Sequence, residues 1–226
     1  MSQLSLFSAD ARPAGLRDLA GLLCGPGQIV RFGAGDQARL SIVLTDPARG
    51  AAVSAACADT GVPVEPVTTG TGATALRTAF RCDLVPLAHE WTRGAVKTVP
   101  AHWQLDGAAL RLWALASGYP DGRGGYLLLL DPHAPDTHHS LVAATTRVGL
   151  PPARTTRPVG LRISGTRRVQ RLVELVGPVP PGVPDGQWPR YWGGTPVDGL
   201  VTLSRHDGPD VTEVTPCVGG QDRPSV

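Results

Sequence analysis

The chain has 226 residues, 42% of them hydrophobic, so it is long enough for one large domain or two small ones with a real core. A net charge of +2 does not by itself select a class of partner, and nearly all of the positive charge is arginine. The sequence has no apolar run of about 18 residues, so no membrane span is predicted. It does not start with a basic region followed by an apolar stretch, so no secretion signal is predicted either. Four cysteines without CxxC pairing indicate a reducing compartment, so we expect a cytoplasmic, monomeric protein.

Apolar periodicity divides the first half of the chain into three helices and two hairpins. In chain order it predicts a helix from Leu16 to Leu23, strands Gln28 to Phe32 and Arg39 to Thr45, a helix from Ala48 to Asp59, strands Val62 to Val67 and Ala75 to Cys82, and a helix from Leu84 to Trp91.

The second half repeats this order with a reduced first hairpin. The predicted elements are a helix from Ala108 to Ala116, a strand from Tyr126 to Leu130, a helix from Thr137 to Val148, strands Ala153 to Arg157 and Val159 to Ser164, and a helix from Arg167 to Val176. Similar phrases recur roughly 90 residues apart in one order, which is the signature of an internal duplication. The unit is αββαββα, so we expect an α/β (α+β) protein.

The duplication sets the predicted domain boundaries. They are a flexible arm over residues 1–14, a first repeat over 15–94, a linker over 95–106, a second repeat over 107–177, and a Pro/Gly-rich acidic tail over 178–226. We expect Trp188, Tyr191 and Trp192 to hold the first part of the tail on the body.

The start of the first repeat, Leu19-Ala-Gly-Leu-Leu-Cys-Gly-Pro-Gly27, resembles the name motif of the LAGLIDADG homing endonucleases, and Leu110–Gly118 resembles it more weakly. The resemblance covers roughly residues 16 to 177. It implies two motif helices packed side by side at a pseudo-twofold axis, and two antiparallel sheets that form a saddle over DNA with helices on the other face. It also implies an acid at the eighth motif position, which binds the metals that cut DNA.

The eighth positions of this chain hold Pro26 and Ser117, and neither side chain can ligate Mg²⁺ as a carboxylate does. We therefore expect no catalytic residue, no metal and no cofactor. A register slip could bring in Asp106 or Asp121, so a nuclease of the family type or a structure-specific one remains an alternative. A second alternative is a transcriptional regulator, similar to the bacterial sporulation regulators that keep a silent LAGLIDADG domain.

Strand alternation places arginines opposite the apolar face of the predicted sheets. Leu76, Phe80 and Cys82 are predicted to share the covered face, with Arg77 and Arg81 on the open one. A basic open face is typical of binding to a nucleic-acid backbone. The predicted DNA-binding residues are Arg39, Arg77, Arg81, Arg154, Arg157 and Arg162.

The histidines of His133-Ala-Pro-Asp-Thr-His138-His139 suggest a metal cluster. Solvated residues in the first turn of the following helix explain them better, so no metal site is predicted there.

The pentapeptide Gln3-Leu4-Ser5-Leu6-Phe7 is similar to the motif by which replication and repair proteins bind the bacterial sliding clamp. The resemblance implies that the glutamine hydrogen-bonds at a polar pocket while the leucines and the phenylalanine occupy an apolar groove. An edge strand of the protein's own sheet is the alternative. The sequence thus predicts a non-catalytic protein of DNA replication or repair, associated with the nucleoid, whose partners are double-stranded DNA and the clamp of DNA polymerase III.

Overall fold

The computed structural model describes residues 8–184 and 186–190. The chain divides into a compact unit over residues 1–193 and a second unit over 194–226, and the second lies outside the described residues. None of the described helices is long and apolar enough to cross a membrane.

The first repeat contains three helices and four strands. They are α1 (Ala20–Cys24), β1 (Gln28–Phe32), β2 (Gln37–Val43), α2 (Gly50–Asp59), β3 (Glu65–Thr68), β4 (Thr74–Arg77) and α3 (Val85–Trp91). Single 3-10 turns at Leu16–Leu19 and Pro47–Arg49 precede α1 and α2. A short hairpin, β5 (Thr92–Arg93) and β6 (Val96–Lys97), leads into the linker.

The second repeat has the same element order. It consists of α4 (Gly107–Ser117), β7 (Gly118–Pro120), β8 (Tyr126–Leu129), α5 (Asp136–Arg147), β9 (Ala153–Thr156), β10 (Val159–Ile163) and α6 (Thr166–Val176). Asp106 starts α4, because its carboxylate accepts a hydrogen bond from the backbone N–H of Ala109.

The two four-stranded sheets have equivalent topology. Their strand orders are β1-β2-β4-β3 and β7-β8-β10-β9, with every neighbouring pair antiparallel. The predicted α/β architecture of a duplicated αββαββα unit with two antiparallel sheets is confirmed. The reduced first hairpin of the second copy is confirmed as well, since β7 has only three residues.

Each sheet buries one face against helices. In β2 the side chains of Leu40 and Ile42 are almost fully buried, whereas Arg39 and Ser41, which alternate with them, are only half-buried. This period of two is what a sheet with one covered face requires. Among the described strands, we call the opposite face of each sheet the open face. It is accessible in the first sheet, whereas in the second sheet Leu127 on that face is buried.

The prediction of a flexible arm through residue 14 is wrong for residues 8–12. Ser8 and Ala9 are buried, and Arg12 forms ion pairs with the buried Asp18 and, at 2.6 Å, with Asp106. These ion pairs attach the segment to the start of α4, so it does not behave as a tether. Residues 1–7 lie outside the described part of the chain.

The beginning of the predicted tail packs on the body through Trp188, which is 2% exposed and donates its indole N–H to the Gly177 carbonyl at 3.0 Å. Tyr191 and Trp192, which were expected to do the same, lie outside the described residues. The predicted domain boundaries otherwise remain predictions.

Candidate functional site

The two motif helices, α1 and α4, pack directly against each other, and glycines set their separation. A Cβ added to Gly21 would lie 2.0 Å from the Ala109 carbonyl oxygen, and one added to Gly25 would lie 2.4 Å from Ser117 Oγ. Real Cβ atoms do not approach other atoms so closely. At Gly21 the obstacle is the backbone of α4, so only glycine fits there and the backbones of the two helices are in near contact; at Gly25 it is the hydroxyl of Ser117.

The adjacent carboxyl ends of this helix pair carry the eighth motif residues. Pro26 is half-buried just beyond α1, and Ser117 is buried at the end of α4 with its hydroxyl donating to the Trp113 carbonyl at 3.2 Å. Neither residue supplies a carboxylate to the axis.

A buried ammonium occupies the end of α1 instead. Lys97 Nζ donates to the carbonyl oxygens of Gly25 at 2.6 Å and Gly27 at 2.7 Å, and it lies 3.1 Å from Asp131 Oδ2. Burial lowers the pKa of Lys97, and the nearby Asp131 carboxylate acts in the opposite direction. Three oxygens thus surround a fixed positive charge at the position where the resemblance implies a metal ligand.

Asp131 is held in place by several donors. The His133 backbone N–H donates to Oδ1 at 2.9 Å, and the Gln28 side-chain amide donates to Oδ2. A ring nitrogen of His138 lies 2.8 Å from the Asp131 carbonyl oxygen, with His138 itself only 5% exposed. The prediction that these histidines are solvated is therefore wrong for His138, which packs behind the Lys97–Asp131 pair.

The end of α4 has its own buried cation. One terminal nitrogen of Arg49 donates to the carbonyls of Ala114 at 3.0 Å and Leu115 at 3.2 Å, and the other donates to Gln187 at 2.7 Å (backbone) and 2.9 Å (side chain). Tyr126 donates its hydroxyl to the Ala114 carbonyl at 3.3 Å, and burial raises its pKa to about 12. Arg49 is 2% exposed, and its Nε finds no partner among the described residues.

A side-chain cation therefore lies at the end of each motif helix: Arg49 binds carbonyls of the last turn of α4, and Lys97 binds carbonyls of the residues that follow α1. A cation is favoured there, because unpaired carbonyls give the end of a helix a partial negative charge. The same cations disfavour a divalent metal, since like charges at close range repel strongly in a buried site. Within residues 8–184 and 186–190, no group of three or more His, Cys, Asp or Glu side chains could hold a metal ion.

The two acids considered as substitute metal ligands are engaged elsewhere. Asp106 caps the opposite end of α4 and pairs with Arg12, so it cannot reach Ser117. Asp121 accepts from the backbone of Arg123 and Gly125 and pairs with Arg162. Burial of Asp121 opposes its ionisation, but these donors outweigh it and hold its pKa below the usual value.

Of the arginines predicted on the open face of the first sheet, two lie there. Arg77 is exposed, and Arg39 places its guanidinium 4.4 Å from the centre of the Phe80 ring. Arg81 does not lie there: it pairs in register with Ala38, whose side chain is buried on the helix side, and it forms an ion pair with Asp83 at 2.5 Å.

The alternation changes phase because β4 ends at Arg77. The backbone N–H of Leu40 donates to the Thr78 hydroxyl at 3.0 Å, so a side chain replaces part of the strand ladder. Phe80, predicted on the covered face, consequently lies on the open face, with its ring centre 4.8 Å from that of Phe32.

The second sheet brings one predicted arginine to its open face. Arg162 lies there opposite Leu127, but its Nε is 2.6 Å from Asp121. Arg154 pairs in register with Leu161, which is fully buried, so it projects from the helix-covered side at the edge of the sheet. Arg157 is exposed in the turn between β9 and β10. The open faces are less basic than the sequence predicts, and the contribution of all six arginines to DNA binding stays a prediction.

The clamp-binding prediction falls on Gln3, Leu4, Ser5, Leu6 and Phe7, all of which lie outside the described residues. It remains a prediction from the sequence.

Comparison with solved structures identifies the architecture. The structure of the homing endonuclease I-WcaI bound to its DNA recognition sequence matches with a TM-score of 0.50, covering 78% of this chain and 83% of that one. The fold is homing-endonuclease-like. Sequence identity is only 11%, so the likeness establishes the fold alone. No protein-family model and no curated protein matches the sequence.

Sequence reasoning missed Lys97, Arg49 and Asp131 as residues of this site. The available signal was that Lys97 is the single lysine of the chain. A chain whose basic residues are nearly all arginine is typical of GC-rich coding, so the single lysine does not stand out in the sequence as a functional residue. In the structure this lysine is buried at the end of α1.

Proposed function

We propose that this protein binds DNA without cutting it and docks on the bacterial DNA sliding clamp, acting in replication or repair. The observation that carries the non-catalytic part is the pair of buried cations, Lys97 and Arg49, at the ends of the motif helices. A nuclease of the fold needs carboxylates and divalent metals there.

The DNA-binding part is supported by the likeness to a homing endonuclease described in complex with its DNA recognition sequence. The open faces also carry guanidiniums that can pair with phosphates, namely Arg39 and Arg77 on the first sheet and Arg162 on the second. The charge of Arg162 is already paired with Asp121 through its Nε, so we expect the first sheet to contribute more.

The clamp part is supported by the pentapeptide Gln3–Phe7 alone. A short segment that orders in an apolar groove is a common mode of peptide recognition. DNA held by the folded body would raise the effective concentration of that segment at a clamp on the same duplex.

A cleavage assay tests the non-catalytic assignment. Purified protein with Mg²⁺ or Mn²⁺ should leave plasmid, nicked, forked and mismatched DNA intact. The double variant Pro26→Asp/Ser117→Asp should also be inactive, because restored carboxylates would pair with the fixed cations rather than with a metal. Metal-dependent cutting by the wild type would favour the nuclease alternative and contradict the proposal.

The regulator alternative makes a different prediction. Binding to one DNA sequence in strong preference to others, together with no affinity for the clamp, would favour it.

A further inference from the structure

Exposed apolar side chains concentrate on the open face of the first sheet. Val30, Phe32 and Val43 are 49%, 59% and 44% exposed, and all three point away from the helices. The other large hydrophobics this exposed among the described residues, Val96 and Val179, lie outside both four-stranded sheets. Val30 lies beside Phe32 on β1, whereas Val43 lies six residues along β2 from Gln37, the register partner of Phe32. An exposed aromatic ring with an exposed valine beside it is the kind of apolar patch that marks a binding site.

The aromatic part of the patch forms a layered stack. The rings of Phe32 and Phe80 have centres 4.8 Å apart with their planes inclined by 38°, and the guanidinium of Arg39 lies 4.4 Å from the Phe80 centre. The attraction between a guanidinium and an aromatic ring does not use the N–H donors of the guanidinium. Arg39 makes no ion pair or hydrogen bond with any described residue, so those donors are available to an acceptor on the ligand.

Polar donors surround the stack. Gln37 lies opposite Phe32 in the ladder, Ser41 lies between Gln28 and Arg77, and Arg77 is exposed without a hydrogen-bonded partner among the described residues. Glu65, opposite Arg77 on the edge strand, is the acid that the ladder places on this face. Aromatic rings can stack on the flat rings of a ligand, and adjacent arginines and amides can donate to phosphates. Such a surface suits a ligand in which flat rings alternate with phosphates.

We propose that this patch is a stacking platform for unpaired bases, so that the protein binds single-stranded DNA or a single-stranded segment beside a duplex. The inference rests on the proposed DNA-binding function and specifies its substrate. A base stacks on the exposed face of Phe32, while Arg39 and Arg77 contact the flanking phosphates. Paired bases in a duplex stack on one another, so only an unpaired base offers a free face to the phenylalanine.

Fluorescence anisotropy of the full chain tests the platform. The probes are a labelled oligothymidylate of about 16 nucleotides and a blunt duplex of equal length. The wild type should bind the oligothymidylate, and Phe32→Ala should weaken that binding about tenfold while leaving duplex binding unchanged. Val96→Ala is the matched control, because Val96 is 57% exposed outside this face. Arg39→Lys keeps the charge but loses the planar stack, so it should weaken binding to the single strand as well.

The outcomes separate this inference from the proposed function. If both proteins bind the duplex, and Phe32→Ala binds the single strand with the same affinity as the wild type, the platform is overturned but the proposed DNA binding is not. If the wild type binds neither probe, the proposed DNA-binding function itself is contradicted, and the platform with it. Self-association by sedimentation that disappears in Phe32→Ala would assign the patch to a second copy of the chain and would also overturn the platform.

Discussion

The buried cations Lys97 and Arg49 carry the proposal that this protein does not cut DNA. Both are bound to carbonyls at or just beyond a helix end, and among the described residues only Lys97 of the two has a carboxylate partner. The alternation of apolar and polar residues along a sequence cannot reveal such contacts, because they join residues that are far apart in the chain and meet only in the packed fold. Prediction therefore identified the missing acids at Pro26 and Ser117 but not what replaced them.

Replacing Lys97 tests whether the charge of its side chain stabilises the folded protein. Lys97→Met should lower the free energy of unfolding by about 3–5 kcal/mol, because it leaves the buried Asp131 without its cation. In a chain of this size that corresponds to a melting temperature lower by at least about 6 °C. Thermal melts monitored by circular dichroism measure it, with Arg93→Met, an exposed arginine on the same hairpin, as the matched control.

A double variant checks whether the unpaired carboxylate of Asp131 causes this loss of stability. Asp131→Asn in the Lys97→Met background should recover part of the loss, since the uncompensated carboxylate is gone. A Lys97→Met melting temperature within about one degree of wild type would show that the pair contributes little.

At the level of elements, the sequence predicted the helices and strands well, because apolar residues recur with clear periods of 2 and 3.6. Strand Gln28–Phe32 is found with the predicted bounds, and the helix predicted from Arg167 to Val176 begins one residue earlier. The predicted strand Ala75 to Cys82 is wrong beyond Arg77, where the Thr78 hydroxyl enters the ladder. That hydrogen bond moved Phe80 and Arg81 to faces opposite to those predicted, and no local pattern signals it.

The contact between the motif helices gives a prediction at this scale. Gly21→Ala should destabilise the protein by about 3 kcal/mol, because its new methyl group collides with a backbone carbonyl of α4 that cannot move aside. Gly70→Ala is the control: a Cβ there meets no atom within 4 Å, so stability should change by no more than about 0.5 kcal/mol. Urea denaturation of both variants measures the difference. Equal stability of the two would mean that the helices can separate without cost.

At the scale of the whole molecule, two equivalent sheets carry different chemistry on equivalent faces. The first exposes Phe32 beside Arg39, whereas the second presents an arginine already neutralised by Asp121. The duplication was readable from sequence because both copies keep the element order. The asymmetry was not, because it depends on one change of alternation just after β4 and on the loop that carries Asp121.

Titration calorimetry of the full-length protein against the purified bacterial sliding clamp tests the central claim most directly. A peptide with three apolar anchors should give a micromolar dissociation constant, about −8 kcal/mol. Leu6→Ala/Phe7→Ala should abolish the heat of binding without changing the melting temperature, because the proposal assigns both side chains to the groove of the clamp rather than to the core. An absence of binding by the wild type, or undiminished binding by the double variant, would contradict the clamp-docking account. A drop of several degrees in the variant's melting temperature would instead assign the segment to the protein's own sheet.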